Sequence, residues 1–178
     1  MVRSSATFRF IDVDFLTATY RMVGKIRVGS SGVVGLLNDP TTSFMEVQEV
    51  SLARMHMPDK LVDRFSVVRL VKSQILVVCL SRREDVGPQS LARGGYEKLY
   101  EYPIRVITTV YEIEGILEWT GRLDFTAIMI EGTRNFIPLY SAHLSSVLIP
   151  TMNLETPALM LNRLHLESLA LTDHRSEE

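Results

Sequence analysis

The chain has 178 residues, of which 46% are hydrophobic and 22% are charged, and its formal net charge is -2. This composition excludes a disordered chain, which combines few apolar residues with a large net charge. It also excludes a membrane-spanning helix, because the longest apolar run, Ile75 to Leu80, is far shorter than the ~20 residues that a bilayer requires. The near balance of acidic and basic side chains provides no net attraction toward nucleic acid.

The one cysteine, Cys79, lies inside this apolar run. A single thiol cannot build a disulfide framework, and a free cysteine is typical of a reducing compartment. The first ten residues contain no apolar signal segment, so we expect a cytoplasmic protein. The mean hydropathy of +0.12 is high for a chain of this size, which predicts that apolar surface lies in an interface.

The first predicted element is a short strand that carries Asp12 and Asp14. Two carboxylates at this spacing point to one side of a strand and could start a divalent-cation site. The neighbouring side chains are apolar and offer no third ligand. We therefore expect a solvated strand edge here and no metal site.

Apolar and polar residues alternate from Thr19 to Val28, which predicts a long strand with one buried face. Its outward face carries Arg21, Lys25 and Arg27. Small β-barrels use basic faces of this kind to bind single-stranded nucleic acid. These three residues are the candidate site for nucleic-acid binding, a function that the overall charge balance disfavours.

A glycine-rich loop, Gly29 to Gly35, follows this strand and opens a short helix that Ser31 could cap and Asn38 could end. Phosphate-binding loops occupy the same place between a strand and a helix. This loop lacks the Gly-Lys-Ser/Thr ending of a P-loop and the spacing of a dinucleotide site. We expect a flexible turn and no cofactor.

Two further strand patterns complete the first half of the chain. One starts at Phe44, and the other runs from Phe65 to Leu80 with a turn at Lys72-Ser73. The segment from Arg82 to Leu99 then concentrates charge, proline and glycine, which is typical of a linker.

The second half repeats the plan of the first. The strand pattern from Val110 to Trp119 places Tyr111 and Gly115 where the first half has Tyr20 and Gly24. The further matches, on a constant register, are Phe136 with Phe44, Leu139 with Val47, Ile149-Pro150 with Met57-Pro58, and Leu159-Met160 with Val67-Val68. Several matches in the same order predict a tandem duplication.

The outward face of the second long strand carries Glu112, Glu114 and Glu118, so its charge is opposite to that of the first. A basic face on one repeat and an acidic face on the other are complementary. They could meet within one chain, or between chains that associate head to tail. These six charged residues form the candidate interaction face.

The predicted fold is mainly β (α+β), with two tandem antiparallel β-rich repeats that each contain one short helix. A small barrel, or an Sm-like or SH3-like sheet, is compatible with this plan. The helix of the second repeat is left open, because Phe125 to Ile130 fits a helix capped by Asp124 and also a strand. The predicted boundaries are 6–81 for the first repeat, 82–99 for the linker, 100–172 for the second repeat and 173–178 for a polar tail.

This order of strand, short helix, strand and final hairpin resembles a small bacterial domain of unknown function, present here as a tandem duplication. The residues that carry the resemblance are Tyr20, Gly24, Leu36, Leu37, Asn38, Asp39 and Phe44 in the first half, and Tyr111, Gly115, Phe136, Leu139, Ala142, Leu161, Asn162 and Arg163 in the second. The first repeat departs from the pattern at Glu46 and Val50, and the second lacks the Asn-Asp pair. The resemblance implies a duplicated module and no activity.

No residue set supports enzymatic chemistry. The histidines His56, His143, His165 and His174 form no zinc-ligand pattern. Cys79 lies in an apolar strand, where a thiol is inert. We therefore expect no catalytic residues, no metal and no cofactor.

The charge inversion, the apolar excess and the missing catalytic set together favour a non-catalytic interaction or scaffold module that self-associates into a homo-oligomer or binds a protein partner. One alternative is a small β-barrel that binds nucleic acid through the basic face. A second alternative is a small-ligand sensor with its site at the seam between the repeats.

Overall fold

The computed structural model describes residues 7–88, 98–130 and 134–172. In chain order the elements are β1 (Arg9–Leu16), β2 (Tyr20–Val28), α1 (Gly32–Asn38), β3 (Phe44–Arg54), β4 (Met57–Val71), β5 (Val77–Leu80), β6 (Leu99–Thr108), β7 (Tyr111–Thr120), α2 (Phe125–Ile130), β8 (Phe136–Ser146), β9 (Asn153–Asn162) and β10 (Leu166–Leu171). Short 3-10 turns lie at Lys72–Gln74, Arg83–Val86 and Arg163–His165. The predicted tail 173–178, with His174, and residues 89–97 of the predicted linker lie outside the described residues.

The described strands form one antiparallel sheet in the order β10-β6-β7-β8-β9-β5-β1-β2-β3-β4. The prediction of a mainly β, antiparallel fold is therefore confirmed. The sheet is not closed, because β10 and β4 form its two ends, and a closed barrel is not confirmed. In the described part of the chain, no helix is long and apolar enough to cross a membrane.

Each half of the sheet has its last strand beside its first. The first half contributes the order β5-β1-β2-β3-β4 and the second contributes β10-β6-β7-β8-β9. The halves join where β5 pairs with β9, opposing Val77 to Leu161 and Leu80 to Ala158. The 3-10 turns at Lys72–Gln74 and Arg163–His165 precede the last strand of each half.

Two clusters of buried apolar side chains form the core, and each cluster draws residues from both halves. The first-half cluster includes Phe136, Tyr140, Ala158 and Met160 from the second half. The second-half cluster includes Leu16, Met55, Leu76, Val77 and Cys79 from the first half. The core is therefore continuous across the join between β5 and β9.

The segment that was open between helix and strand, Phe125–Ile130, is the helix α2. The Asp124 carboxylate accepts a hydrogen bond from the backbone N–H of Thr126 at 2.8 Å, which satisfies one free donor of the first turn. Ser31 occupies the N-cap of α1, but its side chain makes no capping hydrogen bond.

The expected solvated strand edge is wrong for Asp14, whereas Asp12 is exposed and lies beyond the part of β1 that pairs with β5. The strand that carries them, β1, lies inside the sheet between β5 and β2. Asp14 is half-buried and accepts hydrogen bonds from Arg21, with Nη2 to Oδ2 at 2.7 Å. Burial is the larger effect on this carboxyl and raises the pKa of Asp14, while the guanidinium of Arg21 opposes that rise.

The expected match of Val67-Val68 with Leu159-Met160 is displaced by one residue. Pairing puts Val68 opposite Val47 and Leu159 opposite Leu139, so Val68 takes the place of Leu159 in the sheet. Between the paired residues, the β3–β4 hairpin contains one residue more than the β8–β9 hairpin. Irregular pairing at Ala53 accommodates the extra residue.

Each half has a β-bulge in its third strand, opposite a glycine of its second strand. Two residues of β3, Glu49 among them, lie opposite Gly24, and two residues of β8, Ser141 among them, lie opposite Gly115. Glu49 and Ser141 have φ angles of 51° and 47°. Bulges of this kind increase the local twist of a sheet.

We predict that Gly24→Ala destabilises the fold more than Gly115→Ala. A Cβ at Gly24 would lie 2.7 Å from Cγ1 of Val47 and 2.9 Å from the carbonyl oxygen of Gln48. The nearest atoms to a Cβ at Gly115 are 3.2 Å and 3.3 Å away. Overpacking of this kind costs about 1–3 kcal/mol, so the free energy of unfolding in denaturant should fall by that amount in Gly24→Ala. A loss in Gly115→Ala as large as that in Gly24→Ala would contradict the prediction.

Candidate functional site

The basic half of the predicted interaction face is already paired within the chain. Arg21 binds Asp14, and the Nζ of Lys25 donates to Oε2 of Glu49 at 2.5 Å. The guanidinium of Arg27 lies 3.9 Å from the ring centre of Phe8. A phosphate would have to compete with these partners, so the surface is weaker as a nucleic-acid site than the sequence alone indicates.

The acidic half is also paired. Arg105 binds Glu112 at 2.8 Å and Glu114 at 3.5 Å. Glu118 is buried and binds Arg83, whose guanidinium also lies 4.0 Å from the ring centre of Tyr140. Glu118 is therefore a buried ion-pair partner and does not lie on an exposed acidic face.

The two charged faces do not meet within the chain, because β8, β9, β5 and β1 lie between β7 and β2. Most of these residues are instead matched by charges on adjacent strands or on the linker, and Arg27 lies over the ring of Phe8. The structure thus separates Arg21, Lys25 and Arg27 from Glu112, Glu114 and Glu118.

The start of the predicted linker is an ordered part of the core that the sequence pattern did not reveal. The carboxylate of Asp85 is buried and binds Arg9 at 2.5 Å and Arg82 at 3.2 Å. Val86 is also buried. Arg83 reaches the second half through Glu118. No local pattern in the sequence could have revealed the pairs Arg9–Asp85 and Arg83–Glu118, because the partners lie far apart in the chain.

The glycine-rich loop is a packed turn. A Cβ at Gly32 would lie 2.4 Å from Cα of Gly87 and 2.5 Å from the carbonyl oxygen of Val86. Gly32 has a φ of +65°, which glycine adopts without strain. The backbone of 86–87 covers this side of the loop, so the expected flexible turn is instead fixed against the 3-10 turn at Arg83–Val86.

The thiol of Cys79 and the imidazole of His165 each have their own surroundings in the fold. Burial raises the pKa of the Cys79 thiol to about 12, so the thiol is neutral and a weak nucleophile at neutral pH. The Nε2 of His165 contacts the carbonyl oxygen of Ser73 at 2.7 Å. Among the described residues, no three His, Cys, Asp or Glu side chains are placed to hold a metal ion.

The pairing of β5 with β9, which we call the junction, is extended at both ends by side chains. The hydroxyl of Thr156 donates to the carbonyl oxygen of Leu80 at 2.8 Å, and Nδ2 of Asn162 donates to that of Ile75 at 2.9 Å. Asn38 of α1 bonds the backbone of Phe136 twice, as donor and as acceptor, both at 2.9 Å. The junction is therefore a built interface between the halves.

Tyr111, in the second half, forms a further contact with the first half. Its hydroxyl donates to the carbonyl oxygen of Thr17 at 2.9 Å and lies 3.3 Å from Sδ of Met55. The side chain is fully buried, and burial raises its pKa. The equivalent tyrosine of the first half, Tyr20, is exposed.

Buried side chains from both halves pack along the seam, and three surface clefts lie beside it. One cleft of about 430 Å³ lies between α1 and the start of β8 and includes Lys72 and Asn162. Two others, of about 400 and 510 Å³, share His56 and Ile149. Lys72 is buried, and its Nζ donates to the carbonyl oxygen of Asp39 and the hydroxyl of Thr42, both at 3.0 Å. The Lys72 ammonium is therefore engaged in hydrogen bonds within the fold.

The two ends of the sheet, which we call the free edges, are the strands β4 and β10. Within the described residues, β4 pairs only with β3, and β10 pairs only with β6. The large apolar side chains exposed on β4 are Met57, Leu61, Val62, Phe65, Val67 and Val71. A long apolar edge strand is a template for pairing with another chain.

Comparison of this chain with protein-family models, with curated proteins and with solved structures found no match.

We predict that Tyr111→Phe lowers stability at neutral pH by about 1–2 kcal/mol, while Tyr20→Phe, the matched control, has little effect. Above pH 10 the unfolded chain releases the Tyr111 proton that the folded chain keeps, so folding stability falls as pH rises from the ordinary pKa of 10.0. Tyr111→Phe should reduce this alkaline loss. Cys79 contributes a loss of the same sign above pH 9.0 in every variant.

Thermal and denaturant unfolding at neutral pH and at alkaline pH measure both effects. Equal behaviour of the Tyr111→Phe and Tyr20→Phe chains would show that the hydroxyl at the seam contributes nothing specific.

Proposed function

We propose that the chain is a tandem duplication of one β-rich module, with 6–81 and 100–172 as the copies and 82–99 as the connection. The same strand order in both halves supports this. Thr17 and Thr108 make the same turn, each hydroxyl binding the carbonyl oxygen of the tyrosine three residues later at 3.2 Å. Both halves also share the glycine bulge between their second and third strands.

Each copy forms a bent, open sheet of an Sm-like or SH3-like kind, in the order last strand, first, second, third, fourth. The bulges support this, because they bend the long strands over the core. The small bacterial domain that the sequence resembles carries no known activity, and the proposal takes none from it.

The function that we propose is a non-catalytic scaffold module that self-associates. The apolar free edge β4 carries this proposal. Native monomers usually blunt their edge strands with charge, bulges or cover, and the stretch from Phe65 to Val71 has only one charged residue, Arg69. Pairing of this stretch with a strand of another copy accounts for its apolar side chains.

Nucleic-acid binding has weaker support, since Arg21, Lys25 and Arg27 each have a partner within the chain. A small-ligand site at the seam also has weaker support. The clefts there are open, and the buried polar groups Lys72 and Asn162 beside one of them already have hydrogen-bond partners within the fold.

We predict that the wild-type chain forms oligomers whose mean mass rises with concentration, and that Val67→Lys makes them dissociate. A lysine in place of Val67 puts a charge on the free edge, where burial against another strand would be costly. Val147→Lys is the matched control, because Val147 lies in the β8–β9 connection and both valines are 47% exposed. Multi-angle light scattering gives the masses, and thermal unfolding confirms that both variants fold.

A wild-type chain that stays monomeric at every concentration would overturn the proposal. An equal loss of mass in Val147→Lys would show that general surface charge, and not the β4 edge, controls the association.

A further inference from the structure

The two free edges, β4 and β10, correspond to the two strands that pair with each other in the junction. In the junction, the fourth strand of the second half, β9, pairs with the last strand of the first half, β5. The corresponding fourth strand of the first half is β4, and the corresponding last strand of the second half is β10. Among the described strands, each of these has a neighbour on one side only and forms an end of the sheet.

The strand pairing fixes which residues correspond on β4 and β9. Phe44 lies opposite Val71 in the first half, as Phe136 lies opposite Asn162 in the second. Counting along both strands from this pair, Val67 takes the place of Ala158, and Phe65 takes the place of Thr156.

Three residues buried near the junction have counterparts at the β4 end of the sheet that are apolar and exposed. Phe136, Ala158 and Asn162 are 2%, 0% and 1% exposed. Their counterparts Phe44, Val67 and Val71 are 43%, 47% and 46% exposed. These three β3 and β4 side chains have the composition of an interface and lack the partner that covers their equivalents.

The β10 end provides the other side. Val78 lies opposite Phe15 on β1, and Leu169 lies opposite Val106 at the same place on β6. Leu171 therefore corresponds to Leu80, and Ala170 corresponds to Cys79. Leu171 is exposed, whereas Leu80 is buried by β9.

The helices show the same relation. α1 contacts β8 across the junction, through Asn38 and the backbone of Phe136. The side of α2 that would make the equivalent contact exposes Met129 and Ile130. Ile130 has the same spacing from Phe136 that Asn38 has from Phe44. An apolar contact between Ile130 and an exposed Phe44 would replace the amide pairing.

We propose that copies of this chain associate head to tail, with β10 of one copy paired antiparallel to β4 of the next and α2 of the first lying over β3 of the next. The partner of this surface is a second copy of the chain. The register follows from the junction, where Val77 opposes Leu161 and Leu80 opposes Ala158. It places Ser168 opposite Leu70, and Leu171 opposite Val67, of the next copy.

This inference rests on the proposed self-association and specifies its geometry. A contact between two different edges is heterologous, so each added copy leaves one β4 and one β10 free until a ring closes. Arg69 takes the place of the buried Met160, and its alkyl stem can cover the strand while the guanidinium stays in water.

Disulfide trapping tests the register in a Cys79→Ala background, which removes the native thiol and uses the residue found at the equivalent position, Ala170. Val67→Cys and Leu171→Cys are made on separate chains and mixed under mild oxidation. Residues directly opposite in an antiparallel pair are close enough for a disulfide. We expect a linked dimer in the mixture that neither variant forms alone.

A second measurement uses blocked edges and needs no thiol. Val67→Lys blocks the β4 end, and Leu171→Lys blocks the β10 end. Each variant alone should be monomeric, whereas their mixture should contain particles of two chains, because one intact β10 meets one intact β4. Thermal unfolding of each variant confirms that it folds.

The outcomes separate the two proposals. A linked dimer of Val67→Cys alone, or an oligomer formed by Leu171→Lys alone, means that β4 pairs with β4 and overturns the head-to-tail geometry while leaving self-association in place. Oligomers without the mixed disulfide also overturn the geometry. A wild-type chain that is always monomeric overturns both proposals.

Discussion

The backbone pairing of β5 with β9 is the interaction on which the rest of the structure depends. It is short, from Val77 to Leu80 on one strand, yet it joins two five-stranded halves into one sheet and lets both apolar clusters extend across the join. Asn162 and Thr156 satisfy the carbonyl groups at its ends. A buried backbone group without a partner costs stability, so these side chains fix where the pairing starts and stops.

Several charged residues hold parts of the fold together. Arg83 and Asp85 tie the start of the linker to both halves, and Arg21 neutralises a half-buried aspartate inside the sheet. In the described part of the chain, no buried side-chain nitrogen or oxygen atom lacks a hydrogen-bond partner. These buried polar groups hold strands, helices and linker together.

The same junction explains why the ends of the sheet matter. The fourth strand of the second half is covered by the last strand of the first half. The fourth strand of the first half and the last strand of the second half have no such cover in the described sheet. In β4, the part near the hairpin carries Asp59, Lys60 and Arg64, which oppose unspecific pairing, whereas the stretch from Phe65 to Val71 stays largely apolar. Charge at one end and apolar side chains at the other restrict which partner and which register can form.

The sequence by itself determined the alternation of the long strands, the first short helical segment, the repeated Tyr and Gly positions and the inert environment of Cys79, because these depend on local periodicity and neighbouring residues. It left Phe125–Ile130 open between helix and strand, and the structure decided for the helix. The tertiary structure alone decided the strand order, the displaced register of β4, the burial of Glu118 by Arg83 and the separation of the two charged faces. Those features depend on contacts between residues distant in the chain. A period of two shows which residues share a face, but it does not show which strand lies beside them.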